Sequence, residues 1–272
     1  MNASKQRVYY YHADAAPIGG HFTKPDEMIL ESHGSSSLAQ GGGHIASRVS
    51  GHKLDKPVAF DEAYSEIHGM VSKTGSWKTR VTSVVEGLNV LGMVKADRVT
   101  AVLEVEHPKV GHYAKASVVE SRFENLSIAG TSINPVLGKK VLTSYKKGAF
   151  PDRAIVEDDD YLERAIEQSR KLTEAGDTPD WLKNRMRWVQ SKKARKEKRY
   201  VQCSLVDKLQ GAKSGSFFGH VIQVPDFGNI FLSELLAGHN SYRLTMIRIE
   251  MGCDNGGTVS VATGDSNGSG SP

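Results

Sequence analysis

The chain has 272 residues, 39% of them hydrophobic and 27 of them glycine, which suits one large, turn-rich domain with a real core and argues against wholesale disorder. The net charge of +4 is unevenly spread: Lys183 to Arg199 holds nine Lys/Arg against one Glu, a local +8 that leaves −4 on all the rest, so basicity belongs to one segment rather than to the whole surface. Two cysteines, Cys203 and Cys253, are too few for a disulfide framework, and no apolar run approaches the roughly 18 residues that a membrane helix needs.

The opening MNASKQRVYYYHADAAPIGG has no apolar stretch of the secretory type, so the expectation is a cytoplasmic protein with reduced thiols and no membrane span; the cell surface, or secretion by an unfamiliar route, is the alternative. In RVYYYHA, Tyr9 and Tyr11 share one strand face, and Tyr10 shares the other with Val8 and His12. Exposed tyrosines suit recognition, and core packing is an equally ordinary role for them. MILES, around Ile29, reads as a further strand, and SHGSSSLAQGGGH, Ser32 to His44, as a flexible loop. HIASRVSGHKL and VAFDEAYSEIHGMV follow as strands. In GSWKTRVTSVVEG, Trp77, Thr79, Val81 and Ser83 fall on one face and Lys78, Arg80 and Thr82 on the other, the alternation of a half-buried strand. Val99, Ala101, Leu103 and Val105 repeat the pattern, with Val102 as an exception. Between these two runs, GLNVLGMVKA is apolar but broken by Gly87 and Gly92, as a short strand or a bulged turn would be. YAKASVVESRFENLSIAG comes next.

Helical periodicity then interrupts the strands. Tyr161, Leu162, Ala165, Ile166 and Leu172 form a stripe of helical period, with Asp158 to Asp160 at its start and Gly176 as its stop. A second helix is expected from a Thr178 cap, with Pro179 at its first position, Trp181, Leu182, Met186 and Val189 on its inner face, and the basic run in its last turns. Strands resume with RYVQCSLVDKL, GHVIQVPDFGNIFLSEL, SYRLTMIRIEMG and GTVSVATG, and GDSNGSGSP reads as a disordered tail. The expected fold is therefore mainly β, an antiparallel sandwich or barrel, with an inserted α-helical hairpin. Residues 1–136 and 200–263 form one β-rich domain, 137–199 the insertion and 264–272 the tail.

VTSVVEGLNVLGMVKADRVTAVLEVEH, with SRFENLSIAGTSI and IQVPDFGNIFLSELL downstream, resembles the choice-of-anchor P type of β-rich domain found in bacterial surface proteins. The resemblance spans about 71–136 and 219–264. It implies a fold and a surface location, but no activity and no functional residues. The usual leader and anchor of such proteins are not seen in this sequence, and the helical insertion stands where a short loop is expected.

The basic run is the strongest candidate site. Arg185, Lys192, Lys193, Arg195, Lys196, Lys198 and Arg199 would neutralise phosphates of a polyanion, with Trp188 and Tyr200 placed to stack on bases. The competing expectation is a solvated helix end paired with the acids Glu157 to Asp160 of its antiparallel neighbour. Tyr9, Tyr11 and Trp188 are candidate recognition residues. The ten histidines show none of the short spacings of metal sites, so no metal ligands, no cofactor and no catalytic residue are expected. Cys203 sits in an alternating strand and reads as a core residue. The leading expectation is a non-catalytic binding or assembly module with a homo-oligomeric or protein partner. Polyanion or nucleic-acid binding through 185–199 is the alternative, and an enzyme with a dispersed site the third.

Overall fold

The computed structural model describes residues 8–50, 57–118, 120–138, 142, 149–211, 217–252 and 255–270. Cys253 and the last two residues lie outside them. In chain order the strands begin with β1 (Tyr9–Tyr10), β2 (Ala13–Phe22), β3 (Met28–His33), β4 (Ser36–Ser37), β5 (Gly43–Ser50), β6 (Val58–Ala59) and β7 (Glu62–Val71). They continue with β8 (Trp77–Val90), β9 (Val94–His107), β10 (Lys115–Ser117), β11 (Arg122–Glu124), β12 (Ser127–Ile128), β13 (Thr131–Ser132) and β14 (Asn134–Leu137). Three helices follow, α1 (Asp159–Glu174), α2 (Asp180–Met186) and α3 (Lys192–Lys198). Then come β15 (Tyr200–Ser204), β16 (Val206–Gln210), β17 (Phe217–Phe218), β18 (Val221–Val224), β19 (Gly228–Gly238), β20 (Tyr242–Met251), β21 (Gly257–Ser266) and β22 (Ser269–Gly270).

Two antiparallel nine-stranded sheets carry the fold. The first runs β13-β12-β9-β8-β7-β5, and the second β17-β18-β19-β20-β21-β2-β3, each with short satellite strands. Their inner faces pack together where β2 and β21 meet β7, β8 and β9. Val81, Val85, Leu103 and Val105 from one side and Ile18, Leu244, Ile247 and Val261 from the other are fully buried in a single core. Gly264 of β21 is part of this contact: a Cβ there would lie 3.1 Å from Val81 Cγ1, so the missing side chain lets the sheets approach.

The helices form a third layer. Leu172 of α1 and Leu182 and Met186 of α2 pack with Phe218, Val221 and Phe231. The second sheet is thereby covered on both faces, which is why Ile230 to Leu235 is buried without alternation. Asp158 caps α1 by accepting a hydrogen bond from the Tyr161 N–H at 2.9 Å, as its position in the sequence suggests. Among the described residues, no helix is long and apolar enough to cross a membrane.

Four expectations need correction. The second helix is broken: α2 ends at Met186, a 3-10 turn spans Arg187–Gln190, and Ser191 starts α3 afresh. Ser191 accepts a hydrogen bond from the Ala194 N–H, a competing cap in mid-run. Thr178 makes no cap bond to α2. The tail is structured as far as Gly270, because β21 runs through the buried Ser266 and β22 pairs with β1. Ser32 to His44 is not a free loop, since β4 pairs with β2 and the Leu38 N–H donates to Ala13 O. Strand β2 was hidden by Pro17 and the Gly19-Gly20 pair; Pro17 stands where the pairing with β21 skips a residue, a place that tolerates a missing donor.

That skip continues across the sheet. Pairing skips Ser233 and Met246 between β19 and β20, and Met246 and Ala262 between β20 and β21. Ser233 and Ala262, both fully buried, have φ of 51° and 50°, a strained backbone that only surrounding structure maintains. A one-residue step changes which face a side chain occupies. Here it places Glu234 with Arg248 and Phe231 under the helices. The Arg248 guanidinium donates twice to the Glu234 carboxylate, at 2.6 and 2.9 Å, and lies 3.9 Å above the Phe231 ring. Gln202 adds a bond to Glu234 at 2.7 Å. Arg248 also pairs with Glu250, which receives both arms of Arg185 from α2 at 2.8 Å each.

Arg248→Met, which strands the Glu234 charge, is expected to cost about 3–5 kcal/mol in urea unfolding, and Glu234→Gln with Arg248→Met to recover most of that loss. His107 and His220 are buried, which pulls each from an ordinary 6.5 to about 4. Both stay neutral in the fold, while the unfolded chain takes up their protons below 6.5. Stability is therefore expected to fall as pH drops from 6.5 towards 4, by up to about 3 kcal/mol for each histidine. Unfolding curves across that range for the parent and His107→Gln read the slope.

Candidate polyanion-binding site

The basic segment folds as a short projecting helix. Ser191 caps its start, and Arg199 ends it in the left-handed conformation with φ 59°. β15 then carries the chain into the second sheet beside β19. No residue of α3 is buried. Lys192, Arg195, Lys196 and Arg199 line one wall of an open groove of about 670 Å³, and Val156, Glu157, Asp159 and Leu162 line the other. Val201 and the exposed His239 also contribute.

Two of the acids, Glu157 and Asp159, do face the basic helix, as the antiparallel arrangement implies, but among the described residues neither forms an ion pair with it. Asp159 pairs with Arg153 at 2.8 Å. Among the described residues, Lys192, Lys196 and Arg199 have no ion pair. Lys193 reaches only Glu197, at 3.9 Å and with both side chains mostly exposed, a contact of little energetic weight. Arg195 donates to the Val189 carbonyl, which holds its guanidinium at the root of the helix.

The remaining expected residues separate. Arg185 leaves the site, because both of its arms hold Glu250 and its guanidinium lies 4.8 Å over Phe231. Trp188 and Tyr200 meet edge-on at 5.5 Å, and Lys198 sits 5.0 Å from the Trp188 ring and 5.8 Å from Tyr200. Their faces are thus partly used by a cation of the same segment. Tyr9 and Tyr11 are not recognition residues of an exposed strand: they are 6% and 5% exposed. Tyr9 stacks on Trp77 at 5.0 Å and meets Tyr11 edge-on at 4.8 Å, and burial pushes both phenols above their ordinary value. Cys203 is a core residue, its S–H directed to the Tyr161 hydroxyl, and burial pushes its thiol up to about 11. Its thiolate is thus disfavoured.

Reading the sequence missed Arg153, the side chain that occupies Asp159, and His239. It also missed a second cavity of about 390 Å³ between α1, β16, β17 and the Gly219-His220 turn. Arg164 Nε, Thr178 Oγ1 and His220 Nε2, on residues lining that cavity, lack hydrogen-bond partners.

Comparison with known proteins gives a family and no named activity. No curated protein and no solved structure matches the chain. A family described as a domain of unknown function, DUF8256, matches residues 9–238. That span runs from β1 through β19, so the helical insertion and the α3 groove lie inside the family's domain. The chain belongs to the DUF8256 family.

Proposed function

We propose that this protein is a non-catalytic β-sandwich binding module that docks a polyanion, single-stranded nucleic acid or a similar chain of phosphates or sulfates, on the α3 wall of its groove. The observation that carries this reading is the set of exposed cations Lys192, Lys196 and Arg199, which line an open groove and have no ion pair among the described residues. Arg195 supplies a fourth, anchored charge. The groove also has an acidic wall, so affinity would come from phosphates laid along α3 rather than from a diffuse basic field.

Fluorescence anisotropy with a labelled single-stranded oligonucleotide, and with heparin as competitor, tests it. Four phosphate contacts imply that affinity for the oligonucleotide falls about 50-fold between 50 and 200 mM salt. Lys192→Glu with Lys196→Glu and Arg199→Glu removes that binding. Binding that ignores salt, or survives the charge reversals, contradicts the reading.

A second reading, association with another copy of the chain, is favoured by the sheet edges. Ile29 on β3 is 72% exposed, and Ile45 on β5 is 37% exposed; β3 and β5 end their sheets. Open edges of this kind are templates for strand pairing. Light scattering on a sizing column measures it: a defined multimer at high salt supports association, and a monomer removes it.

A further inference from the structure

We propose a divalent transition-metal site, of the zinc class, formed by His44, Glu66 and His68 on the outer face of the first sheet. The register of β5 and β7 sets His44 directly opposite His68. Glu66 precedes His68 by two residues and so shares its face, while Ser65 and Ile67 point into the core. The two imidazoles stand nearly parallel, with ring centroids 4.3 Å apart and 14° between their planes. Both Nε2 atoms converge on one oxygen: His44 Nε2 is 3.0 Å and His68 Nε2 2.8 Å from Glu66 Oε1. One ligand atom from each of the three residues lies within 4.8 Å of the others.

At 2.8 and 3.0 Å both imidazoles hydrogen-bond to the same carboxylate oxygen, so the three donor groups are already gathered on one face. Zinc bonds of about 2.0–2.2 Å in tetrahedral geometry place neighbouring ligand atoms roughly 3.3–3.5 Å apart, so each His–Glu separation of 2.8 or 3.0 Å needs to open by roughly 0.3–0.7 Å. Two imidazoles and a carboxylate form a donor set that zinc favours, with a fourth position left for solvent. His44, Glu66 and His68 are 53%, 46% and 33% exposed, so a hydrated ion has direct access. A competing cation, Arg80, stands opposite His68 on β8. Its guanidinium is held by Glu120 at 2.6 Å and Glu104 at 3.5 Å. A second cluster, His12, Asp14 and Asp265, is weaker because Arg243 already occupies Asp265 at 2.8 Å. The site would also tie β5, which ends its sheet, to β7.

Calorimetric titration of the full chain with Zn²⁺, paired with the visible absorption of bound Co²⁺, tests the site. One equivalent is expected, with a low-coordinate Co²⁺ band. Glu66→Gln and His44→Ala each weaken it at least tenfold, and His12→Ala leaves it unchanged. All three changes lie on exposed side chains, and circular dichroism verifies the fold. As an independent readout, the ring resonances of His44 and His68 shift before those of the other histidines during Zn²⁺ addition. No binding, binding unaffected by Glu66→Gln and His44→Ala, or first shifts at other histidines overturns the proposal.

Discussion

A carboxylate buried under the helical insertion constrains this fold more than any other group. Glu234 is 6% exposed, and a charge so placed is tolerable only when its partner and its hydrogen bonds are complete. Arg248 supplies the opposite charge through two donors, and Gln202 supplies another hydrogen bond. The strained residue Ser233 puts the carboxylate on the face where Arg248 waits. Phe231 is caught in the same arrangement, with the Arg248 and Arg185 guanidinium groups both against its ring. Buried ion pairs rarely add much net stability; what they exclude is every arrangement that leaves a charge unpaired. The insertion therefore has one seat on the sheet, fixed through Glu250 and Arg185.

The seat determines what the basic segment does. Arg185 is consumed in docking α2, so the charge of Lys183 to Arg199 is divided between a structural part and a displayed part. The displayed part is α3, whose seven residues are too few to be stable as an isolated helix. Its Ser191 cap, the Arg195 bond to Val189 O and the packing of Lys198 on Trp188 and Tyr200 hold it in place. A helix kept by its cap and its root, with no buried face, leaves its cations to whatever the groove receives. Arg153 spares them one competitor by holding Asp159.

The parts of this structure that were legible in the sequence are those whose signal is local. Alternation marked the β8–β9 hairpin, with Thr79, Val81 and Ser83 buried as their spacing requires. Asp158 marked the start of α1, and Cys203 its own burial. Features set by distant partners stayed hidden. Pro17 and the paired glycines leave β2 without a readable strand signal, although β21 and β3 complete it. The apolar stripe through Val189 runs smoothly into the basic run, and nothing in its period reveals the break at Ser191. The tyrosine alternation gave faces but not their sides, so Tyr9 and Tyr11 were as credible outside as in. His44 and His68 are 24 residues apart in number and become neighbours only through the register of β5 and β7.

In the proposed function, α3 and not the rest of the surface is where a polyanion docks. Lysine acetylation footprinting read by mass spectrometry, with and without heparin, tests it most directly because it reports position as well as binding. Docking on α3 gives strong protection of Lys192 and Lys196, with Lys73 and Lys109 in turns of the first sheet reacting as before. Equal reactivity of Lys192 and Lys196 with and without heparin, or protection spread evenly over the surface lysines, would contradict it.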